Sequence, residues 1–136
     1  DWPARRVTPD PNASVELACE TFNVPSVMTP WEIGQHLSLL LAEALPHPQL
    51  PALQQHILRF VRHWKALWAQ YGDSLEGRTA FRTAFDAFAA AAKPMAQGVT
   101  LRNEMGFFQV LMVMLSRVAV SPATGHLVAR APGEYA

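Results

Sequence analysis

Residues 49–72 read QLPALQQHILRFVRHWKALWAQYG, and this stretch decides the fold class. Its apolar side chains recur at alternating spacings of three and four positions, which is the period of one helix face. These side chains are Leu50, Leu53, Ile57, Phe60, Trp64, Leu67 and Tyr71. Gly72 is suited to the left-handed conformation that ends many helices. The pattern predicts a helix over 49–71, roughly 33 Å long at about 1.5 Å per residue, as the spine of the domain.

A helix-start signal precedes this spine. Thr29, Pro30 and Glu32 form a capping box with proline at the first helical position. The Thr29 hydroxyl can accept from the Glu32 backbone N–H, and the Glu32 carboxylate can accept from the Thr29 N–H. We therefore expect a helix over 30–45. The prolines in the LPHP sequence at 45–48 end it, because proline cannot continue the hydrogen-bond ladder.

A third helix is predicted after the spine. Asp73 or Ser74 can cap its start, and it should end by Lys93 because Pro94 follows. Its rings recur at helical spacing, with alanines beside them. These rings are Phe81, Phe85 and Phe88, and the alanines are Ala84, Ala89 and Ala92. We expect this face to point inward, and the small alanines to allow close approach of a neighbouring helix.

The last predicted helix covers 101–120, with Thr100 as its cap. Apolar side chains wrap most of its circumference: Phe107, Phe108, Leu111, Met112, Leu115 and Val118. Such a helix lies either in the middle of a bundle or in an oligomer interface. The stretch 107–120 also contains four valines and is compatible with a buried strand. Helix is preferred because the chain offers no convincing partner strand.

The two ends of the chain differ from its middle. Residues 1–28 predict an extended, proline-containing N-terminal arm with a short helix over 13–22 capped by Asn12. Residues 121–136 predict an irregular C-terminal tail, in which 126–129 is compatible with a short edge strand. The fold expected is therefore all-α: a four- to five-helix bundle over 29–120 with an arm and a tail.

Composition excludes several classes of protein. Of 136 residues, 50% are hydrophobic and 16% charged, which is unlike a disordered chain. The single cysteine, Cys19, excludes an internal disulfide framework and a cysteine-based zinc site.

There is no secretory signal pattern, and the apolar run at 107–120 falls short of the roughly 20 residues of a membrane span. We expect a cytoplasmic protein without a membrane span.

No motif predicts catalysis, a cofactor or a metal site. His56 and His63 lie two helical turns apart, about 10 Å along the axis, which is too far for one metal ion to bridge unaided. Glu16 and Glu20 flank Cys19, and neighbouring carboxylates disfavour the reactive thiolate. Phosphate-binding glycine loops are missing from the sequence. We therefore name no catalytic, cofactor-binding or metal-binding residue and expect a non-catalytic protein.

Charge is unevenly distributed although the formal net charge is zero. Residues 1–43 hold two Arg against six Asp or Glu, whereas 44–102 hold seven Lys or Arg against three Asp or Glu. Five cations at helical spacing on 59–82 form a candidate basic stripe for phosphates, which supply most non-specific nucleic-acid affinity. The stripe comprises Arg59, Arg62, Lys65, Arg78 and Arg82. A nucleic-acid-associated helical subunit is the alternative function.

Protein–protein interaction or assembly is the preferred function. The predicted helices carry more apolar surface than a small monomer easily hides, and Trp2 and Val7 lie between prolines in a form suited to docking into another subunit. We name five candidate interface residues: Trp2, Val7, Phe108, Met112 and Met114. The expected partner is a protein, through self-association or within a larger complex.

Overall fold

A computed structural model of the chain describes residues 20, 22–25, 27–72 and 74–118. These residues form four helices: α1 (Ile33–Ala42), α2 (Leu50–Tyr71), α3 (Leu75–Met95) and α4 (Phe107–Ser116). Within the described part no strand is present, and extended segments meet only in isolated bridges. The all-α prediction is confirmed there. Of the stretch 107–120 that was compatible with a buried strand, residues 107–116 form the helix α4, which ends before the predicted 120.

The spine helix forms where the spacing of its apolar residues predicts it. α2 covers Leu50–Tyr71, and five residues of the predicted face are buried together with Val61, while the terminal Leu50 and Tyr71 are partly buried. The five are Leu53, Ile57, Phe60, Trp64 and Leu67. The Gly72 N–H donates to the Trp68 carbonyl at 3.0 Å. Gly72 ends the helix as predicted but not in the left-handed helical conformation: its φ is 54° and its ψ is −124°, a backbone conformation that side chains with a Cβ rarely adopt. The glycine therefore ends the helix and reverses the chain toward α3.

Two predicted caps are present. The Glu32 N–H donates to the Thr29 hydroxyl at 3.3 Å, and the Thr29 N–H donates to the Glu32 carboxylate at 3.3 Å, as a capping box requires. The Ser74 hydroxyl accepts from the Gly77 N–H at 3.0 Å and caps α3. α1 is shorter than predicted at both ends. It begins at Ile33, after the turn that the capping box closes, with Glu32 as an N-cap that makes no capping hydrogen bond to the helix through its side chain, and it ends at Ala42, before the prolines.

The end of α3 was predicted wrongly, because Pro94 lies inside the helix rather than after it. Because proline lacks an N–H, a proline inside a helix cannot form the hydrogen bond to the carbonyl four residues earlier. Here that carbonyl belongs to Ala90, which is exposed to water. The helix therefore continues to Met95, where the Ala96 N–H donates to the Ala92 carbonyl at 2.9 Å.

The start of α4 was also predicted wrongly. Thr100 is not its cap, because a tight turn precedes the helix: the Leu101 N–H donates to the Met105 carbonyl at 2.8 Å. The Asn103 carboxamide oxygen accepts from the Met105 N–H, and Glu104 has a φ of 71°. The helix then begins at Phe107 after Gly106. Local hydrogen bonding by Asn103 thus replaces the first turns of the predicted helix.

The helices pack in two pairs around one core. α2 lies against α3 and α1 lies against α4, while α3 also contacts α4. Trp64 is fully buried and its ring contacts those of Phe60, Phe81 and Phe85. The Trp31 ring meets the Trp68 ring edge-on at 6.0 Å, which joins the start of α1 to the end of α2.

The remaining predictions lie outside the described residues. They are most of the helix predicted over 13–22, the arm before Glu20, the cap candidate Asp73, and the tail at 121–136 with its strand candidate at 126–129. None of the described helices is long and apolar enough to cross a membrane.

Candidate docking groove

An open groove of about 670 Å³ runs between α2 and α3. α2 contributes larger side chains and α3 contributes mostly small ones. The lining residues are His56, Arg59, Phe60, His63 and Leu67 from α2, and Ala80, Thr83, Ala84, Ala87 and Phe88 from α3. We call this feature the α2–α3 groove. Its shape follows from the contrast in side-chain size, because small residues on α3 leave space beside the bulkier face of α2.

Aromatic rings form the floor of the groove. The Phe88 ring lies nearly parallel to the Phe60 ring, with centroids 4.2 Å apart and 11° between the planes. The His56 ring is also nearly parallel to that of Phe88, at 4.8 Å and 14°. The His56 Nε2 atom lies 3.5 Å from the Phe88 carbonyl oxygen. These contacts fix the floor, because one ring from α3 is stacked against two from α2.

Positive and neutral polar groups occupy the rim. Arg59 and His63 are exposed, one helical turn apart on α2, and the lining set contains no Asp or Glu. Asp86, an acid on α3, is bound to Arg82 on the same helix at 3.1 Å. The α2–α3 groove therefore combines an apolar floor with a cationic edge that no lining carboxylate neutralises.

A second depression of about 750 Å³ lies between the end of α1 and the turn before α4. Its polar residues are already engaged with one another: the Arg102 N–H donates to the Glu43 carbonyl at 3.0 Å, and the two side chains form an exposed ion pair at 3.9 Å. Leu39 provides an exposed apolar edge. Because Glu43 and Arg102 are paired with each other, this depression is less suited to binding a charged ligand than the α2–α3 groove.

The structure separates the members of the predicted basic stripe. Residues three apart on a helix are offset by about 60° around its axis, so Arg59, Arg62 and Lys65 fan over about 120°. Arg59 lines the groove, whereas Arg62 is exposed away from it and Lys65 is half-buried. Three cations at this spacing on one helix do not form a line.

The two cations predicted on α3 face away from the groove. Arg82 lies about 160° around the helix from Ala84, with the buried Phe85 between them, and Arg78 lies on the same side as Arg82. Arg82 also forms an ion pair with Asp86. The structure therefore does not bring Arg78 and Arg82 to one surface with Arg59.

The interface residues predicted on the last helix lie in the core. Met112 is 1% exposed and Met114 is 0% exposed, and Phe108 is half-buried against the core. This favours the first of the two interpretations of an all-round apolar helix, that it lies in the middle of the domain. A partner has no access to Met112 or Met114 in this fold. Trp2 and Val7 lie outside the described residues.

The sequence analysis missed the small residues that form one wall of the groove. Ala80, Ala84 and Ala87 recur at helical spacing, and this pattern was visible beside the phenylalanines. We expected Ala84, Ala89 and Ala92 to face inward. Ala89 and Ala92 are buried as predicted, whereas Ala84 lies with Ala80 and Ala87 along the open groove.

Metal-ligating side chains do not cluster in the described part of the chain. No group of three or more His, Cys, Asp or Glu side chains is placed there to hold a metal ion. Two buried ring nitrogens, His36 Nδ1 and Trp64 Nε1, have no hydrogen-bond partner among these residues. They belong to different helices and do not face the α2–α3 groove.

Comparisons with family models, curated proteins and solved structures each found no match to this chain. The functional argument therefore rests on the residues and geometry of the α2–α3 groove.

Proposed function

We propose that this chain is a non-catalytic protein-interaction module that binds a helical segment of another protein in the α2–α3 groove. The supporting observation is the lining of the groove: buried rings at the floor, alanines along one wall and exposed cations on the other. Helix-in-groove recognition uses this arrangement, in which an apolar helix face enters the groove and polar groups at the rim set specificity.

The volume is of the right order for such a partner. About 670 Å³ accommodates several large apolar side chains of one helix face, although the groove is too open to enclose a whole ligand. Residues Ala80, Ala84 and Ala87 repeat along the wall at the spacing at which a second helix presents its side chains. The partner's apolar residues would then lie above the alanines and against the edge of the aromatic floor.

A designed helical peptide tests this proposal. The probe is an 18-residue peptide with a Leu and Phe face and neutral Gln on its other faces, and its binding to the full chain is followed by fluorescence anisotropy. We expect binding that Ala84→Gln weakens at least about tenfold by filling the groove, a loss of about 1.4 kcal/mol. Ala69→Gln is the matched control, since Ala69 is exposed on α2 and does not line the groove.

Two results would contradict the proposal. One is no binding of the peptide, and the other is equal binding by the wild-type chain and by Ala84→Gln. Light scattering on the same samples addresses self-association. A dimer that Ala84→Gln dissociates would assign the groove to a second copy of the chain instead of another protein.

The nucleic-acid alternative has weaker support. It depended on five cations along one surface, and the structure distributes those cations over separate faces of α2 and α3. The rings at the groove floor are also buried, with Phe60 6% and Phe88 3% exposed, so their faces are not free to stack on bases.

A further inference from the structure

We infer that the helix bound by the α2–α3 groove carries carboxylates one turn apart, beside its apolar face, that pair with Arg59 and His63. This inference rests on the proposed function and specifies the chemistry of the partner. The observation behind it is chemical complementarity: the exposed polar side chains of the α2 wall are the Arg59 cation and the His63 imidazole, both can donate hydrogen bonds to carboxylates, and no carboxylate lines the groove.

The charge of α2 is not balanced locally. No Asp or Glu occurs in Leu50–Tyr71, whereas the helix holds Arg59, Arg62, Lys65 and two histidines. The nearest turns of α3 along the groove contribute alanines and Thr83. At the groove, an acidic partner therefore meets an attraction that no lining carboxylate cancels, and a basic partner meets repulsion.

The spacing along the rim specifies the partner further. Arg59 and His63 are four positions apart, so their Cα atoms are separated by about 6 Å along the helix axis. Carboxylates four positions apart on a partner helix have the same separation. His56 is less available, because its ring is stacked on Phe88 and its Nε2 atom lies against the Phe88 carbonyl.

A second copy of the chain does not supply such a helix within the described residues. α1, α2 and α4 contain no Asp or Glu between their first and last residues. α3 contains Glu76 and Asp86, but they are ten positions apart and Asp86 is bound to Arg82. The described residues therefore favour another protein as the partner. Glu16 and Glu20, four positions apart in the helix predicted over 13–22, are not among the pairs compared.

Three versions of the helical peptide separate this inference from the proposed function. They share the Leu and Phe face and carry Glu, Gln or Lys at two flanking positions four residues apart. We expect the Glu peptide to bind the full chain about five- to tenfold more tightly than the Gln peptide, and the Lys peptide to bind most weakly. The advantage of Glu should decrease as salt increases.

Paired variants locate the effect. Arg59→Gln with His63→Gln should reduce the ratio of Glu-peptide affinity to Gln-peptide affinity to about one, whatever the variant does to the Gln peptide itself. Arg62→Gln with Arg78→Gln is the control, because both residues are exposed and neither lines the groove. This control should retain the advantage.

The other outcomes each overturn the inference. Equal binding of all three peptides, abolished by Ala84→Gln, would overturn the acidic partner and leave the docking function standing. The acidic partner would likewise be overturned if the Glu peptide kept its advantage in the Arg59→Gln and His63→Gln variant. If no peptide binds, the inference and the proposed function fail together.

Discussion

The imidazole of His56 on α2 is stacked on the ring of Phe88 on α3, with centroids 4.8 Å apart and 14° between the ring planes. The same Phe88 ring is stacked on Phe60, one turn further along α2. One residue of α3 is thereby held by two residues of α2. This contact sets the distance between the helices at the floor of the α2–α3 groove, and its energy can be measured.

A double-mutant cycle of His56→Ala and Phe88→Leu should give a coupling free energy of about 0.5–1.5 kcal/mol, because stacked rings contribute that much beyond their buried area. Urea unfolding of the single and double variants measures it. Gln55→Ala, at an exposed neighbouring position, should show no coupling to Phe88→Leu. Additive effects of His56→Ala and Phe88→Leu would mean that the stacking contributes nothing to stability.

Gly77→Ala should destabilise the fold by about 1–2 kcal/mol although alanine is the better helix former. A Cβ at Gly77 would lie 2.8 Å from the Tyr71 Cβ, closer than real contacts, so the turn between α2 and α3 would have to shift. Gly34→Ala is the matched control, since a Cβ there meets nothing within 4 Å. That variant should gain up to about 1 kcal/mol. Thermal unfolding of both compares them, and a stabilised Gly77→Ala would contradict the tight turn.

Ser74→Ala should reduce the free energy of unfolding by about 1 kcal/mol, because the Ser74 hydroxyl satisfies the Gly77 N–H at the start of α3. Ser38→Ala provides the comparison. The Ser38 hydroxyl donates to the Gly34 carbonyl within α1 on the exposed surface, so its removal should change stability by less than about 0.5 kcal/mol. Equal losses in the two variants would show that Ser74 does not act as a cap.

Met112→Lys should abolish cooperative unfolding rather than dissociate an oligomer. Met112 is 1% exposed, and an unpaired buried charge costs at least about 3–5 kcal/mol, a large part of the stability of a small domain. Gln109→Lys places the same charge at an exposed position of α4 and should unfold like the wild type. Circular dichroism and light scattering distinguish the outcomes. If the Met112→Lys chain instead folds as a monomer, that result would support the original prediction that Met112 lies in an interface.

Affinity for duplex DNA, if present, should depend only weakly on salt through the described surface. Two neighbouring exposed cations, Arg59 and Arg62, predict a slope of log K against log salt of about −2. Arg78→Ala with Arg82→Ala should leave that slope unchanged, because these side chains lie on the other flank of α3. A slope steeper than about −4 that becomes less steep in this variant would mean that Arg78 and Arg82 bind DNA together with Arg59 and Arg62. That result would favour the nucleic-acid function.

Several elements could be predicted from the sequence because their causes are local. The capping box of Thr29 and Glu32, the Ser74 cap and the chain reversal at Gly72 depend on groups within a few residues. The end of α3 and the start of α4 were predicted wrongly because local residues were misinterpreted. Pro94 was treated as a helix end, although it lies near the last turn and Ala90, four residues earlier, is an exposed residue. Asn103 and Gly106 are typical turn residues, but the apolar pattern of the following helix was extended over them.

The candidate site could be predicted only in part. Arg59 lines the groove, but it was predicted as a phosphate contact in a stripe that helix geometry does not assemble. Met112 and Met114 were assigned to a surface because a wholly apolar helix is equally compatible with a core and an interface. Only the packing of the neighbouring helices distinguishes these two environments.

The sequence by itself determined that this chain is helical, which face of α2 is buried, and where its strongest caps lie. These properties follow from backbone periodicity and from hydrogen bonds between near neighbours. The tertiary structure alone decided that Ala80, Ala84 and Ala87 border an open groove instead of a close helix contact. The distance and rotation between two helices depend on how the rings of both interlock, here Phe88 against His56 and Phe60, and no single helix contains that information.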